Sequence, residues 1–376
     1  MNARWQTKTL EELIKLEYGK PLPNEKRKAG GKYPVYGANG EKDRTDEFYF
    51  DKPSIIVGRK GSAGEIHLTA EKFWPLDVTY FVKFDENELN LKFLYSLLAT
   101  LDLPKLAKGV KPGINRNEVY SIEVKVPPLP EQQRIVAILD EAFEGIAIAI
   151  ANTKKNLNNA RALYESHLQS VFAEHGEGWV DTPLDVVCEF VRGPFGGSLK
   201  KSIFVEDGYA VYEQQHAIYD QFDDVRYFID EAKFKEMKRF ELQPNDLIMS
   251  CSGTMGRVAI VPEGIKPGII NQALLKLTPS AKISVAFLKS WMESEAFQDA
   301  LKEYSGGAAI QNVASVKTLK EIIIPLPAIE EQKRVVDKLD ELKQETQCLE
   351  TIYQQKLGAL DALKKSLLNQ AFAGGL

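Results

Sequence analysis

An α+β fold, built twice within one chain, is predicted by three observations. Two long segments match each other at an offset of 200 residues, both carry apolar residues at spacings of three and four, and two other stretches run as β sequence into a Gly-x-x-Gly turn. The 376 residues, 44% hydrophobic, suffice for more than one core.

In chain order, the first globular part covers residues 1–126. Its clearest element is Ile55-Ile56-Val57-Gly58, which enters Arg59-Lys60-Gly61-Ser62-Ala63-Gly64 and continues as the short strand Glu65-Ile66-His67-Leu68. Pro127-Pro128-Leu129-Pro130 then marks a stiff entry to the first helical segment, within 127–176, because proline cannot donate to a ladder or sit inside a helix. The seam of that helix reads Leu139, Ala142, Ile146, Ala149, Thr153, Leu157, Ala160, Tyr164, Leu168 and Val171. Gly176 and Gly178 stop it.

The second globular part, 177–324, repeats the first weakly. Trp5, Leu10 and Gly19 match Trp179, Leu184 and Gly193, and Leu247-Ile248-Met249-Ser250 enters Cys251-Ser252-Gly253-Thr254-Met255-Gly256 before Val258-Ala259-Ile260-Val261. The second helical segment, 325–376, repeats the first strongly: Glu131/Glu331, Gln132/Gln332, Arg134/Arg334, Leu139/Leu339, Leu163/Leu363, Ser166/Ser366, Leu168/Leu368 and Phe172/Phe372 are among the identical pairs. Its seam reads Leu339, Leu342, Thr346, Leu349, Tyr353, Leu357, Leu360, Leu363 and Leu367, ended by Gly374 and Gly375. Each seam is the narrow stripe of a coiled coil, so each helix is expected to pack on the other as a spacer of roughly 65 Å at about 1.5 Å per residue. Ala328-Ile329-Glu330 makes the second entry one residue longer than the first, so its cap geometry is expected to differ.

Composition narrows the function. No apolar run of membrane-spanning length and no apolar leader are present, so the expectation is a cytoplasmic protein without membrane contact. Cys188, Cys251 and Cys348 lie far apart, and His67, His167, His175 and His216 form no ligand cluster, which argues against a zinc or disulfide framework. There is no phosphate-cradling Gly-x-x-x-x-Gly-Lys-Ser/Thr loop, no Gly-rich cofactor loop after a strand, and no amide-Pro-Pro-aromatic tetrapeptide to receive a flipped base. The net charge of −5 is not that of a simple basic nucleic-acid binder; by segment it is +3 over 1–128 and −5 over 177–324. DNA affinity would have to come from local patches or from partners.

Two diverged globular segments alternating with two similar helical ones resemble the specificity subunits of type I restriction-modification systems. The resemblance spans the chain. It is carried by Val126-Pro127-Pro128-Leu129-Pro130-Glu131-Gln132-Gln133-Arg134, Ile324-Pro325-Leu326-Pro327 with Glu331-Gln332-Lys333-Arg334, Tyr33 to Gly40, Trp74 to Thr79, and Asn271-Gln272-Ala273-Leu274. It implies that the globular parts are target recognition domains, each reading half of a split site in double-stranded DNA, while antiparallel helices set the gap and dock two methyltransferase subunits. It also implies a non-catalytic chain that binds no cofactor, with S-adenosylmethionine, ATP and Mg held by methyltransferase and restriction subunits.

Candidate DNA-reading residues are polar or basic groups on turns, where a sheet holds side chains that reach base edges. In the first domain these are Asn39, Arg59, Lys60, Ser62, Lys108, Lys111, Asn115 and Arg116; in the second, Lys200, Lys201, Gln214, Gln215, His216, Ser252, Thr254, Arg257, Gln311 and Asn312. Arg suits guanine, and Asn or Gln suits adenine. Taken singly, each is more often a solvated surface group, and Gln214-Gln215-His216 could simply cap a strand edge. Glu131, Arg134, Lys338 and Glu345 flank the seams as candidate partner-docking positions. Two alternatives remain at this point: a coiled-coil protein adaptor, favoured by the acidic second domain, and the specificity subunit of a methyltransferase complex without a nuclease.

Overall fold

The computed structural model describes residues 5–174, 176–195, 197–304 and 316–375. Gln311 and Asn312 lie outside them. Two compact units divide the chain: Met1–Lys154 with Gln355–Leu376, and Lys155–Gln354. Each holds one globular domain and part of each long helix.

Within the first unit, Gln6–Thr9 pairs antiparallel with Glu123–Val126, so the domain's entry and exit are neighbours. Between them lies a four-stranded antiparallel sheet in the order Ile14–Tyr18, Thr79–Phe84, Ser54–Gly58, Ile66–Thr69. A second sheet has Tyr33–Gly37 at its centre, antiparallel to Gly40–Thr45 and parallel to Trp74–Pro75. The run Ser-Ile-Ile-Val-Gly at 54–58 is apolar throughout because every one of its residues is buried.

The second unit repeats this plan. Val180–Pro183 pairs with Ile323–Leu326, and the main sheet runs Cys188–Arg192, Leu274–Pro279, Leu247–Ser250, Val258–Ile260. Its smaller sheet has the order Phe204–Val205, Phe228–Ile229, Tyr209–Tyr212, Gly268–Ile270, again with one parallel pair. The matched Gly19 and Gly193 now have a shared reason. A Cβ on Gly19 would stand 2.0 Å from the carbonyl oxygen of Leu76, and one on Gly193 would stand 1.8 Å from that of Asn271.

The long helices span Leu129–Ala173 and Ile329–Ala373. Their starts are offset by the same 200 residues as the rest of the repeat, and the preceding strands Glu123–Val126 and Ile323–Leu326 keep that offset. The expected extra residue before the second helix is therefore corrected: aligning proline with proline misplaced the register. Pro130 sits in the first helical turn, where a missing N–H removes no intrahelical bond.

A fully buried glutamine fixes each helix start to its own domain. The Gln132 side-chain oxygen accepts from Asn90 N (2.8 Å), and its amide donates to the carbonyls of Glu88 and Pro127 (both 2.9 Å). Gln332 accepts from Ser284 N (2.8 Å) and donates to Lys282 and Pro327 carbonyls (both 3.0 Å). Every polar atom of the two amides that faces the interior is thus satisfied, as burial requires.

In the first unit, Leu139 and Phe143 share a core with Leu367, Leu368, Ala371 and Phe372; in the second, Leu168 and Phe172 share one with Val335, Val336 and Leu339. The start of each helix thus packs beside the end of the other, which is antiparallel pairing. All ten expected seam positions from Leu139 to Val171 are buried or half-buried. In the second helix Leu349 and Leu363 are instead exposed. Phe372 packs on Phe93 with ring centroids 5.1 Å apart, and the face that carries it turns Leu363 outward.

Candidate nucleic-acid interface

A buried central strand that ends at Gly58 must reverse in a confined space. A Cβ at Gly58 would stand 2.0 Å from the Ser62 carbonyl oxygen, and Gly61 and Gly64 take φ of +85° and +87°, which L side chains adopt rarely. Gly64 N donates to Gly58 O and Gly58 N to Glu65 O, both at 2.8 Å. The turn leaves Arg59, Lys60 and Ser62 on the outer side, with Lys60 exposed and the other two half-buried.

A second segment docks on this turn through its backbone. Ile114 N donates to Arg59 O (3.0 Å) and Gly61 N to Pro112 O (2.9 Å), while Lys108 and Gly113 exchange bonds of 3.0 and 3.1 Å. Lys108, Val110 and Lys111 form its exposed tip, and Asn115 caps the helix Arg116–Tyr120 by accepting from Asn117 N. Seven of the eight expected first-domain residues therefore share one rim. The eighth, Asn39, is exposed on the adjoining turn, whose Ala38 carbonyl abuts Gly58.

The rim's charges are unevenly compensated. Lys108 Nζ pairs with Glu118 Oε1 at 2.6 Å, which mutes its pull on an anion. Arg59 donates through Nε and Nη2 to the Asp77 carbonyl (3.1 and 2.7 Å). Its guanidinium carbon lies 5.5 Å from the ring centroid of Tyr18, and that of Arg116 lies 5.3 Å from the same ring. Tyr18, exposed at the end of its strand and edge-on to Tyr80, was not foreseen from sequence, where it stands far from both arginines.

The second domain builds the same turn with other side chains. Gly253 and Gly256 take φ of +64° and +74°, Gly256 N donates to Ser250 O (2.9 Å), and Ser250 N donates to Arg257 O (2.8 Å). Ser252 is half-buried, whereas Thr254 and Arg257 are exposed. Lys200 and Lys201 lie exposed beside the smaller sheet, and Gln214 and Gln215 are half-buried at the start of the helix Gln214–Tyr219. Among the described residues, no hydrogen bond or ion pair links these three groups. His216 requires a correction as a DNA-reading residue. It is buried; its Nδ1 accepts from Glu213 N (2.9 Å) and its Nε2 donates to Asp224 O (3.0 Å), so both ring nitrogens are committed. Gln215 donates to the same Asp224 carbonyl (3.1 Å).

Cys251 occupies the place in this turn that Arg59 has in the other, and burial pushes its thiol up to about 12, as it does that of Cys188. On the helices, Arg134 is bound to Glu131 (2.7 and 2.9 Å), which holds that carboxyl below its usual range. Lys338 pairs with Glu341 (2.7 Å), and Glu345 is exposed. Among the described residues no helix is long and apolar enough to cross a membrane.

The chain matches the model of the type I restriction modification DNA specificity domain at residues 2–159 and again at 176–356. It is 25% identical over 355 residues to the type I restriction enzyme EcoBI specificity subunit of Escherichia coli, covering 86% of this chain and 73% of the relative. It is 24% identical over 401 residues to the MjaVIII specificity subunit of Methanocaldococcus jannaschii, covering 98% and 92%. In fold it is similar to a solved chain from a study of complex assembly and conformational transition of the type I R-M system, with a TM-score of 0.74 at 19% identity over 99% and 98% of the two chains. The HsdS subunit from Thermoanaerobacter tengcongensis gives 0.65 at 19% identity over 99% and 97%.

Proposed function

The chain belongs to the type I restriction modification DNA specificity family, and from that premise we propose that it reads a bipartite, asymmetric DNA site and directs partner subunits to it. The observation that carries this reading is the duplicated turn. Two domains of one topology hold the same Gly-x-x-Gly backbone at the end of a buried strand, yet present Arg59, Lys60 and Ser62 in one and Cys251, Ser252 and Thr254 in the other. A twofold repeat fused in one chain is a pseudo-dimer, and dimeric readers take two half-sites at a fixed spacing. Because the side chains on the duplicated turn differ, the half-sites should differ in sequence.

In this proposal the chain is non-catalytic and cytoplasmic. Two methyltransferase subunits dock on the long helices through exposed positions such as Arg134, Lys338 and Glu345, and restriction subunits join where the system has them. S-adenosylmethionine, ATP and Mg belong to those partners. The test exchanges residues 179–320 for those of a relative and maps methylated sites in cells carrying the full complex. One half of the recognised sequence should change and the other stay. Change in both halves, or in neither, overturns independent reading.

The excess of acidic residues in 177–324 favours a second reading, a protein adaptor. Binding of the assembled complex to a 40-base-pair duplex separates the two, since counterion release gives a steep salt dependence only when phosphates are contacted.

A further inference from the structure

We propose that Arg59, Tyr18 and Arg116 form a clasp for one backbone phosphate of the DNA, so that these arginines position the first domain and leave base reading to their neighbours. This rests on the DNA-reading function above and assigns roles within it.

Most basic side chains around the first domain are ion-paired: Lys26 with Glu47, Lys28 with Asp46, Arg44 with Glu41 and Lys108 with Glu118. Arg59 and Arg116 depart from that pattern. Among the described residues, no carboxylate lies within ion-pair distance of either, although both guanidiniums converge on one exposed ring, at 5.5 and 5.3 Å from its centroid. Two like charges gathered at one spot repel each other, and the quadrupole of a single aromatic ring offsets that only in part. A bound anion would complete the arrangement.

The anion's identity follows from what each arginine has left to offer. Recognition of guanine requires a free guanidinium fork, held in plane against two acceptors. Arg59 has spent Nε and Nη2 on the Asp77 carbonyl, at 3.1 and 2.7 Å, and so brings charge more than a free fork. Tyr18 is itself seated: its ring meets Tyr80 edge-on at 5.0 Å, and burial pushes the Tyr80 phenol up to about 12, so Tyr80 stays neutral beneath it. The backbone links from Ile114 to Arg59 and from Gly61 to Pro112 hold the two arginine-bearing segments together. A fixed pair of positive charges with a committed fork suits a phosphate, whose contacts set register and carry no sequence information. The second domain lacks the arrangement at this turn, since the place of Arg59 is taken by the buried Cys251. The two half-sites would then be gripped differently as well as read differently.

The experiment uses the full chain assembled with its methyltransferase partner, and fluorescence anisotropy over a salt series. One 40-base-pair duplex carries the motif methylated in cells that express the complex; the other has its first half-site scrambled. Arg116→Gln should weaken binding to both duplexes by about tenfold, leave their affinity ratio unchanged, and lower the salt slope by about 1. Arg116→Lys should restore most of the loss, because a phosphate accepts any cation where guanine demands the fork. Tyr18→Phe should bind as wild type and Tyr18→Ala should behave like Arg116→Gln. Collapse of the affinity ratio at an unchanged slope would make Arg116 a base reader and overturn the clasp. Unchanged affinity and slope in Arg116→Gln, beside a wild type that binds with a steep slope, overturns the clasp alone. A wild-type complex without salt-steep binding overturns DNA reading, and the clasp with it.

Discussion

The turns Gly58–Glu65 and Ser250–Arg257 close with the same pair of backbone hydrogen bonds and the same two left-handed glycines, yet they fill their interiors in opposite ways. In the first, the absence of a side chain at Gly58 lets the Ser62 carbonyl rest directly on the strand. In the second, the Ser250 hydroxyl enters the turn, donates to the Thr254 carbonyl (2.6 Å) and accepts from Arg257 N (3.0 Å). The first turn leans on the 108–113 hairpin; the second leans on the helix Glu295–Tyr304 through Gln298, whose amide donates to Gly256 O (3.0 Å). What has been duplicated is a backbone path. Its supports and its outward chemistry were free to differ, and that freedom is what two unlike half-sites would require.

The sharpest way to break this comparison is to exchange the interiors. Gly58→Ser should destabilise the first domain by about 3 kcal/mol, since its Cβ meets backbone, whereas Ser250→Gly should cost about 1 to 2 kcal/mol for lost hydrogen bonds and added chain freedom. Denaturant unfolding of each variant measures this, and equal costs would mean that the two turns are not differently packed. Next come the buried amides. Gln132→Ala and Gln332→Ala should each cost about 2 to 3 kcal/mol by leaving main-chain groups unpaired, and hydrogen exchange should quicken at Asn90 in the one and Ser284 in the other. A large effect in only one would show that the anchors are not equivalent. Smaller still is the glycine series. Gly64→Ala places a Cβ 2.4 Å from Pro104 N and should cost about 3 kcal/mol, whereas Gly256→Ala meets movable ends of Leu301 and Gln298 and should cost about 2 kcal/mol. Gly61→Ala and Gly253→Ala face open space and should lose only about 1 kcal/mol, by backbone strain alone. A reversed order of Gly64 and Gly256 would place the tighter support in the second domain. The mildest probe is thiol labelling at pH 8. Cys188 and Cys251, raised to about 12 and buried, should remain neutral and unreactive, while the exposed Cys348 reacts. Rapid labelling of Cys251 in the native chain would show that its turn opens where the first does not.

The repeat was legible because identical residues such as Leu139/Leu339 and Phe172/Phe372 recur without a gap, and the strand-to-turn pattern was legible because left-handed turns need glycine. The entry to the second helix was misread by matching prolines by type, when Pro127 and Pro327 are the residues that share a role as acceptors for Gln132 and Gln332. Leu349 and Leu363 fit the period yet face outward, since packing elsewhere on the helix sets its rotation. His216 has the composition of a reader, and only the fold places it inside. Tyr18, Arg59 and Arg116 could not be grouped from sequence, because three separate elements bring them together.

The two-stranded ladders that close the globular domains have a consequence for how such a chain can change over generations. Gln6–Thr9 with Glu123–Val126, and Val180–Pro183 with Ile323–Leu326, bring each domain's first and last strands side by side. An insertion or deletion between them is absorbed before it reaches the helix, which is why the second domain can carry the additional edge strand Phe204–Val205 while both helices still begin in register. Such a domain behaves as a cartridge: recombination that cuts within the similar helical segments can exchange everything between the ladders, and a new sequence preference arrives with its supports already attached.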